Sequence, residues 1–383
     1  MDPHLLIVCL ALFSIIVSMA APGAPTTYNV VSLGAEPDGL TDSSKAFLKA
    51  WALACSSPDI ATISVPKGRY LITSTISFVG DGCESSDITF RIDGTLVAPS
   101  NYGVLAKNYN WIVFKQTNGV SIYGGNLDAK GSGLWACKNS GDNCPSGATS
   151  LQFSNSKNVL VSGLTSLNSQ MFHMVIFGCN NVKLQGIRII ADGNSHNTDG
   201  IHISQSSDVK VMNSKIGTGD DCISIGPGST NLWMEGIICG PGHGISIGSL
   251  GRELNEDGVQ NVTVNTATFI GTQNGVRIKS WEKQSSGFVK DVLFQHVTMF
   301  NVLNPIIIDQ HYCNGKHNCP QLGSGIKVSD VTYNDIHGTS ASELGVNFDC
   351  NKNKPCSGIT LKGVNMKFGS DKTPVKSECL NVV

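Results

Sequence analysis

The chain has 383 residues with a formal net charge of −2, of which 40% are hydrophobic, only 15% charged, and 42 are glycines. That length holds one large domain or two average ones; low charge with many glycines excludes a coiled coil or a long helical bundle and favours an all-β chain with many tight turns. No run of Lys or Arg exists, which excludes the basic face of a nucleic-acid binder and leaves any anion recognition to local positive charge.

Residues 5–20, LLIVCLALFSIIVSMA, form an apolar run that ends in the small-residue pattern Ser18-Met19-Ala20. This reads as a secretory signal peptide over residues 1–20, although its start carries Asp2 and no Lys or Arg. An uncleaved anchor is the alternative, but these 16 residues fall short of the roughly 20 needed for a membrane span. No other segment is apolar enough to cross a bilayer, so no membrane association is expected after cleavage.

Cleavage removes Cys9 from the 13 cysteines and leaves an even set for an oxidising compartment. Short loops would be closed by Cys137/Cys144, Cys222/Cys239, Cys313/Cys319 and Cys350/Cys356, with Cys55/Cys83 as a fifth candidate pair. Connectivity does not follow from sequence. No Cys/His cluster has zinc spacing, so disulfides are expected rather than a metal. One sequon, Asn261-Val262-Thr263, marks Asn261 as a glycosylation candidate.

After a short strand at Tyr28–Ser32, residues 42–55 form the one convincing helix. Ser43 or Ser44 would be its N-cap, and Phe47, Leu48, Trp51 and Leu53 its apolar face. From there the dominant signal is a repeat. Asn or Asp followed by an aliphatic residue opens short β-type runs at Asn158, Asn181, Asp208, Asn231, Asn261 and Asp291, with spacings of 23, 27, 23, 30 and 30 residues. Alternating strands such as NVKLQGIRI and NVTVNTATF follow each opening. A period of 20–30 residues with β-branched strands points to a single-domain right-handed parallel β-helix over residues 26–383, the helix at 42–55 capping its N-terminal end. A β-sandwich would need hairpin turns every 8–12 residues, and Asn-Gly or Asp-Gly turns are few here.

Residues one coil apart in a solenoid stack about 4.8 Å from each other. Asp199 in NTDGIHI precedes Asp220 and Asp221 in TGDDCISI by about one coil, and His243 in GPGHGISIG follows Asp220 by 23 residues. Counted from the corner markers, Asp220 lies 12 residues after Asp208 and His243 lies 12 after Asn231, which assigns them one phase. Arg277 and Lys279, in NGVRIKS, are two residues apart and so share a strand face in the next coil. Three acids, a histidine and two cations therefore fall into one column.

Glycoside hydrolysis needs one carboxylic acid to protonate the departing oxygen and one carboxylate to activate water or attack carbon. Like charges one rung apart resist full ionisation, so at least one acid is expected to have a raised pKa and serve as donor. Arg277 and Lys279 suit a sugar carrying its own carboxylate. Taken singly, each element has a structural explanation: Asx residues bond backbone at turns, Asp-Asp can bind Ca²⁺, and two cations can line a solvated strand. Their coincidence in one column favours catalysis on an acidic polysaccharide.

The motifs NTD at Asn197–Asp199, DD at Asp220–Asp221, GHG at Gly242–Gly244 and RIK at Arg277–Lys279, with the N-terminal LGAEPDGLTDSSKAFLKAW, closely resemble the polygalacturonases of glycoside hydrolase family 28. The resemblance covers nearly the whole mature chain. It implies an inverting hydrolase of α-1,4-linked galacturonan in pectin, secreted to the extracellular cell wall, monomeric and without a cofactor. Asp220 would be the general acid, Asp199 and Asp221 would hold and deprotonate water, and His243 would tune the acid. Arg277 and Lys279 would grip the galacturonate carboxylate, with Asn197 and Tyr312 as further substrate contacts. GHGISIGSLGRELNED, the Cys137–Cys144 insertion and DQHYC are most similar to pollen-type plant exopolygalacturonases, with residues 131–150 as a wall closing the cleft. Bare rung spacing, by contrast, would favour retention of configuration. The rival readings are an endo-acting enzyme, a Ca²⁺-dependent pectate lyase, a rhamnogalacturonan hydrolase, and a non-catalytic wall or allergen-like protein on the same fold.

Overall fold

A computed structural model describes residues 26–313, 322–369 and 373–383. The chain winds into a right-handed parallel β-helix of two sheets with 18 and 11 strands among the described residues. A typical coil runs from Met174–Phe177 in the smaller sheet to Asn180–Gln185 and Arg188–Ile190 in the larger one. It then re-enters the smaller sheet at Ile201–Ser204. Later coils fuse the two larger-sheet segments into single bent strands such as Val259–Ile270 and Phe288–Val302.

Alternation of side chains drives this winding. In the larger sheet Val159, Val182, Val209, Leu232, Val262 and Val292 are successive register partners, all buried. In the smaller sheet Ile201, Ile223, Ile245, Val276 and Ile306 form a second inward stack. Each such side chain contributes about 1.5–3 kcal/mol on burial, so every coil stabilises its neighbours. The residues between the inward isoleucines must face out, and this places the functional column on the outer face of the smaller sheet.

The corner markers do what their type allows. Asn158, Asn181, Asp208, Asn231, Asn261 and Asp291 all have left-handed backbone, with φ between 54° and 58°, a conformation Asn and Asp tolerate better than other non-glycine residues. Their side chains form a ladder: Asn181 Nδ2 donates to Asn158 Oδ1 at 2.7 Å, and Asn261 Nδ2 to Asn231 Oδ1 at 2.8 Å.

The N-terminal end departs from expectation in detail. The first strand is Thr26–Asn29, and Val31–Leu33 turn as a 3₁₀ segment. Helix α1 spans Ser44–Cys55 with Ser43 at the N-cap position, as expected, but the Ser43 side chain makes no capping bond; Asp42 instead accepts from the Ser44 N–H and hydroxyl. Its buried face is Ala46, Phe47, Ala50, Trp51 and Ala54, while Leu48 and Leu53 face solvent. The alanines let the helix lie close over the open end, where Trp51 packs against Phe78 and Phe90 and donates to the Val79 carbonyl at 2.9 Å. A second helix, α2 (Ser132–Ser140), lies in the segment expected to be a wall.

Disulfides join Cys55–Cys83, Cys137–Cys144, Cys222–Cys239 and Cys350–Cys356. Cys179 and Cys379 are unpaired, so the even cysteine set is not wholly consumed by disulfides. Cys319, its expected bond to Cys313, and residues 1–20 lie outside the described residues.

Candidate active site

The outer face of the smaller sheet presents His202, Ser224, Ser246 and Arg277 as register partners on consecutive strands. Asp199, Asp221 and His243 each lie two residues before an isoleucine of the partnered set Ile201, Ile223 and Ile245. The register therefore aligns His243 with Asp221. Counting from the corners aligned it with Asp220, one residue off. The corner-to-strand path is 15 residues from Asp208 to Ile223 and 14 from Asn231 to Ile245, so the markers drift against the strands.

Asp221 is the hub. Its Oδ1 accepts from the Ser246 hydroxyl at 2.7 Å and from Arg277 Nη2 at 2.8 Å, and its Oδ2 from Lys279 Nζ at 2.8 Å. Arg277 Nε also donates to the Ser246 hydroxyl at 2.9 Å. The Asp221 side chain is only 1% exposed. Burial alone would push its carboxyl up, but Lys279 and Arg277, with hydrogen bonds from Lys279 and Ser246, hold it below the usual carboxylate range.

Asp199, also buried, goes the other way. Burial first, then the charges of Asp220 and Asp221, push its carboxyl well above the ordinary value, against smaller opposing effects of Ser224 and Lys279. The raised carboxyl was expected to serve as the proton donor; the one raised here is the deeply placed Asp199, whereas the resemblance gives the donor role to Asp220. Asp220 faces the groove with its side chain 20% exposed. Its Oδ1 accepts from the Asp221 backbone N–H at 2.8 Å and lies 3.2 Å from His243 Nδ1.

Tyr312 closes one side of the cluster: Lys279 Nζ stands 5.2 Å from its ring centroid and Trp281 meets it edge-on. Asn197 is not drawn in. It sits exposed on left-handed backbone ahead of Asp199, and its side chain makes no hydrogen bond among the described residues.

Two neighbours were missed from sequence. His202 lies on the groove floor against Ser224 Oγ at 2.8 Å and stacks on Phe172; burial depresses its pKa to about 4, so it is neutral near pH 7. The GIHIS alternation around it carried that signal. Asp309 is the register partner of Lys279, and burial raises its carboxyl. Its place in DQHYC, three residues before Tyr312, was the available clue.

Ligand-type atoms of Asp220, Asp221 and His243 lie within 4.8 Å of one another. They do not suit a divalent cation, because Asp221 already spends both oxygens on Arg277 and Lys279 and those charges would repel the ion.

Three carboxyls, of which burial and like charge raise Asp199 while two fixed cations lower Asp221, lie on the open face of a β-helix and define the centre of a glycoside hydrolase rather than a structural ion-pair network. The chain belongs to the glycosyl hydrolases of family 28, whose family model matches residues 55–383. It is 58% identical over 360 residues to a polygalacturonase of Prunus persica, covering 94% of this chain and 91% of that protein. It is 42% identical to an exopolygalacturonase of Platanus acerifolia, covering 93% and 94% respectively. Among solved structures, an endo-xylogalacturonan hydrolase from Aspergillus tubingensis shares the fold with a TM-score of 0.82, at 24% identity over 94% of this chain and 96% of that one.

Proposed function

We propose that this protein hydrolyses α-1,4-linked galacturonan, releasing galacturonate from the non-reducing end with inversion at the anomeric carbon. One observation carries the reading: Arg277 and Lys279 are held beside the carboxyl cluster by Asp221 and still have donors to spare. Arg277 uses Nε and Nη2 of its five N–H donors, and Lys279 uses one of three. A galacturonate carboxylate can take the remainder without dismantling the site, whereas a neutral sugar would leave them unsatisfied.

Asp220, facing the groove between His243 and the Asp221 N–H, delivers the proton to the departing oxygen. Water is held between Asp199 and Asp221. Neither of these acids is suited to attack carbon itself, since Asp221 has both oxygens engaged and burial with the neighbouring carboxylates disfavours the charged form of Asp199. The close approach of Asp220 and Asp221 would suggest retention in a two-carboxylate enzyme; here the missing free nucleophile favours water. When a substrate carboxylate draws on Arg277 and Lys279, the hold on Asp221 weakens and it accepts the proton of the attacking water.

The exo reading is supported by α2, which leans on the loop carrying Asp199: Asn139 Oδ1 lies 2.6 Å from His196 Nε2. Trp135 anchors the helix by donating to the Ser169 carbonyl at 3.0 Å. The apolar residues 5–20 and the four described disulfides support a secreted protein of the cell wall. The test is proton NMR of early products from polygalacturonate, with Asp220→Asn as control. Monomer appearing first as the β-anomer, and lost in the variant, is expected. An α-anomer first ends the inverting assignment, and an unsaturated product ends hydrolysis.

A further inference from the structure

Away from the carboxyl cluster, the loop that leaves the strand bearing Arg277 and Lys279 borders an open depression of about 330 Å³. Lys290, Lys327 and Lys354 line it together with Ser285, Phe288 and the backbone of Gly325, and no acidic side chain lines it. None of the three lysines makes a salt bridge or side-chain hydrogen bond among the described residues, in a chain whose net charge is −2. This concentration of positive charge is therefore local.

The depression is built into the fold. Lys290 and Lys327 come from adjacent strands, in which Phe288 and Lys327 are register partners. Lys290 Nζ is held 5.5 Å from the centroid of the half-buried Phe288 ring. Lys354 projects from the loop closed by the Cys350–Cys356 disulfide. Gly325 donates to the Lys283 carbonyl at 2.7 Å, and a β-carbon at Gly325 would collide with the Ser285 backbone, so the two chain segments forming the wall are in direct contact. The volume is at the lower end of small-ligand sites. Three lysines lining one depression with an aromatic ring and a serine hydroxyl match a sugar with a carboxylate, which offers an anion, hydroxyls and an apolar ring face at once.

We infer that this depression is a second binding site for galacturonate units of the polysaccharide, separate from the hydrolytic centre, which keeps the enzyme on its polymer between cleavages. The choice of sugar rests on the activity proposed above. The site takes free acid units, and methyl-esterified ones bind poorly because esterification removes the charge the lysines recognise.

The experiment is affinity electrophoresis through gels containing polygalacturonate, with Asp220→Asn as the parent so that the polymer survives. The triple variant Lys290→Gln/Lys327→Gln/Lys354→Gln in that background is expected to be retarded at least threefold less. Each single substitution, two of them at exposed lysines that any fold tolerates, should give part of the loss. With Asp220 restored, the triple variant should cleave digalacturonate at a rate within twofold of the unsubstituted enzyme, while its KM for the polymer rises several-fold. Unchanged retardation of the triple variant overturns the site. Equal loss of retardation on polyglutamate gels also overturns it, by showing a generic anion patch. The gel reads binding without turnover, so absence of galacturonate release from the unsubstituted enzyme would defeat the activity and leave this result to stand or fall separately.

Discussion

Lys279 Nζ stands 2.8 Å from Asp221 Oδ2, with both side chains withdrawn from solvent at 8% and 1% exposure. In that setting the pair is not a surface ornament: among the charges acting on Asp221, Lys279 is the largest that keeps it ionised. Lys279→Met should let burial dominate and raise the Asp221 carboxyl. We expect kcat on polygalacturonate to fall about 10²–10³-fold, the scale of losing one electrostatic stabiliser, and the acid limb of its pH profile to move to higher pH. A variant that keeps a tenth of kcat with an unmoved acid limb would show that Asp221 does not depend on this cation.

Asp199 gives the opposite sign. Its folded-state pKa lies above its unfolded value, so between the two the native chain binds more protons than the unfolded one. Stability is then highest below the ordinary carboxyl value of 3.8 and falls as pH rises towards the folded-state pKa, by about 1.4 kcal/mol per pH unit for one fully displaced proton. Asp199→Asn removes that loss. Urea unfolding across pH 4–7, conditions chosen to span the carboxyl range, should show the variant gaining on the parent as pH rises while hydrolysis is abolished. A variant equally or less stable at pH 7 would mean that Asp199 is not held neutral by its surroundings.

The corner ladder separates backbone strain from side-chain bonding. Asn181 has φ 55° and donates to Asn158 at 2.7 Å. Asn181→Gly loses the bond but suits the backbone, whereas Asn181→Ala loses the bond and carries the left-handed penalty as well. We expect Ala to cost about 1–2 kcal/mol more than Gly, and Gly itself about 1 kcal/mol relative to Asn. Chemical denaturation of the three proteins measures both steps, and equal costs for Ala and Gly would contradict the strain argument.

Much of this was legible beforehand because a solenoid writes its geometry into spacing. The Asn-aliphatic openings located the corners, and the two-residue alternation from Ile201 to Ile203 and from Ile223 to Ile225 determined which side chains face out. Where inference slipped, local physics was the cause. Corner counting matched His243 with Asp220 because the turn before Ile223 holds one residue more than the turn before Ile245. Leu48 and Leu53 looked like core, but the packing distance at the capped end selects alanines instead. Helix α2 was invisible to periodicity, since only Leu134 and Trp135 of SGLWACKNS are buried; its one clear sign was Gly141, which ends it with φ 79°. The charge difference between Asp199 and Asp221 depends on which of them the cations reach, and spacing alone does not encode that.

Helix α2 supplies the last prediction. Leu134 is fully buried and Trp135 is tied to the Ser169 carbonyl, so the helix has a fixed base. Its far end is stapled by Cys137–Cys144 and reaches the Asp199 loop through Asn139 and His196. In the exo reading proposed above, this helix is the wall that bars a passing polymer and admits a chain terminus. Replacing residues 136–144 with a short Gly-Ser linker keeps the base and removes the wall, while Asn139→Ala loosens the contact alone. The unaltered protein should release monomer only, the linker variant a ladder of oligomers with cleavage of trigalacturonate still within about threefold, and Asn139→Ala mostly monomer with a minor ladder. Chromatography of products at the first few per cent of conversion reads all three. Monomer alone from the linker variant would remove α2 from the determination of chain-end specificity, and a ladder from the unaltered protein would make the enzyme endo-acting.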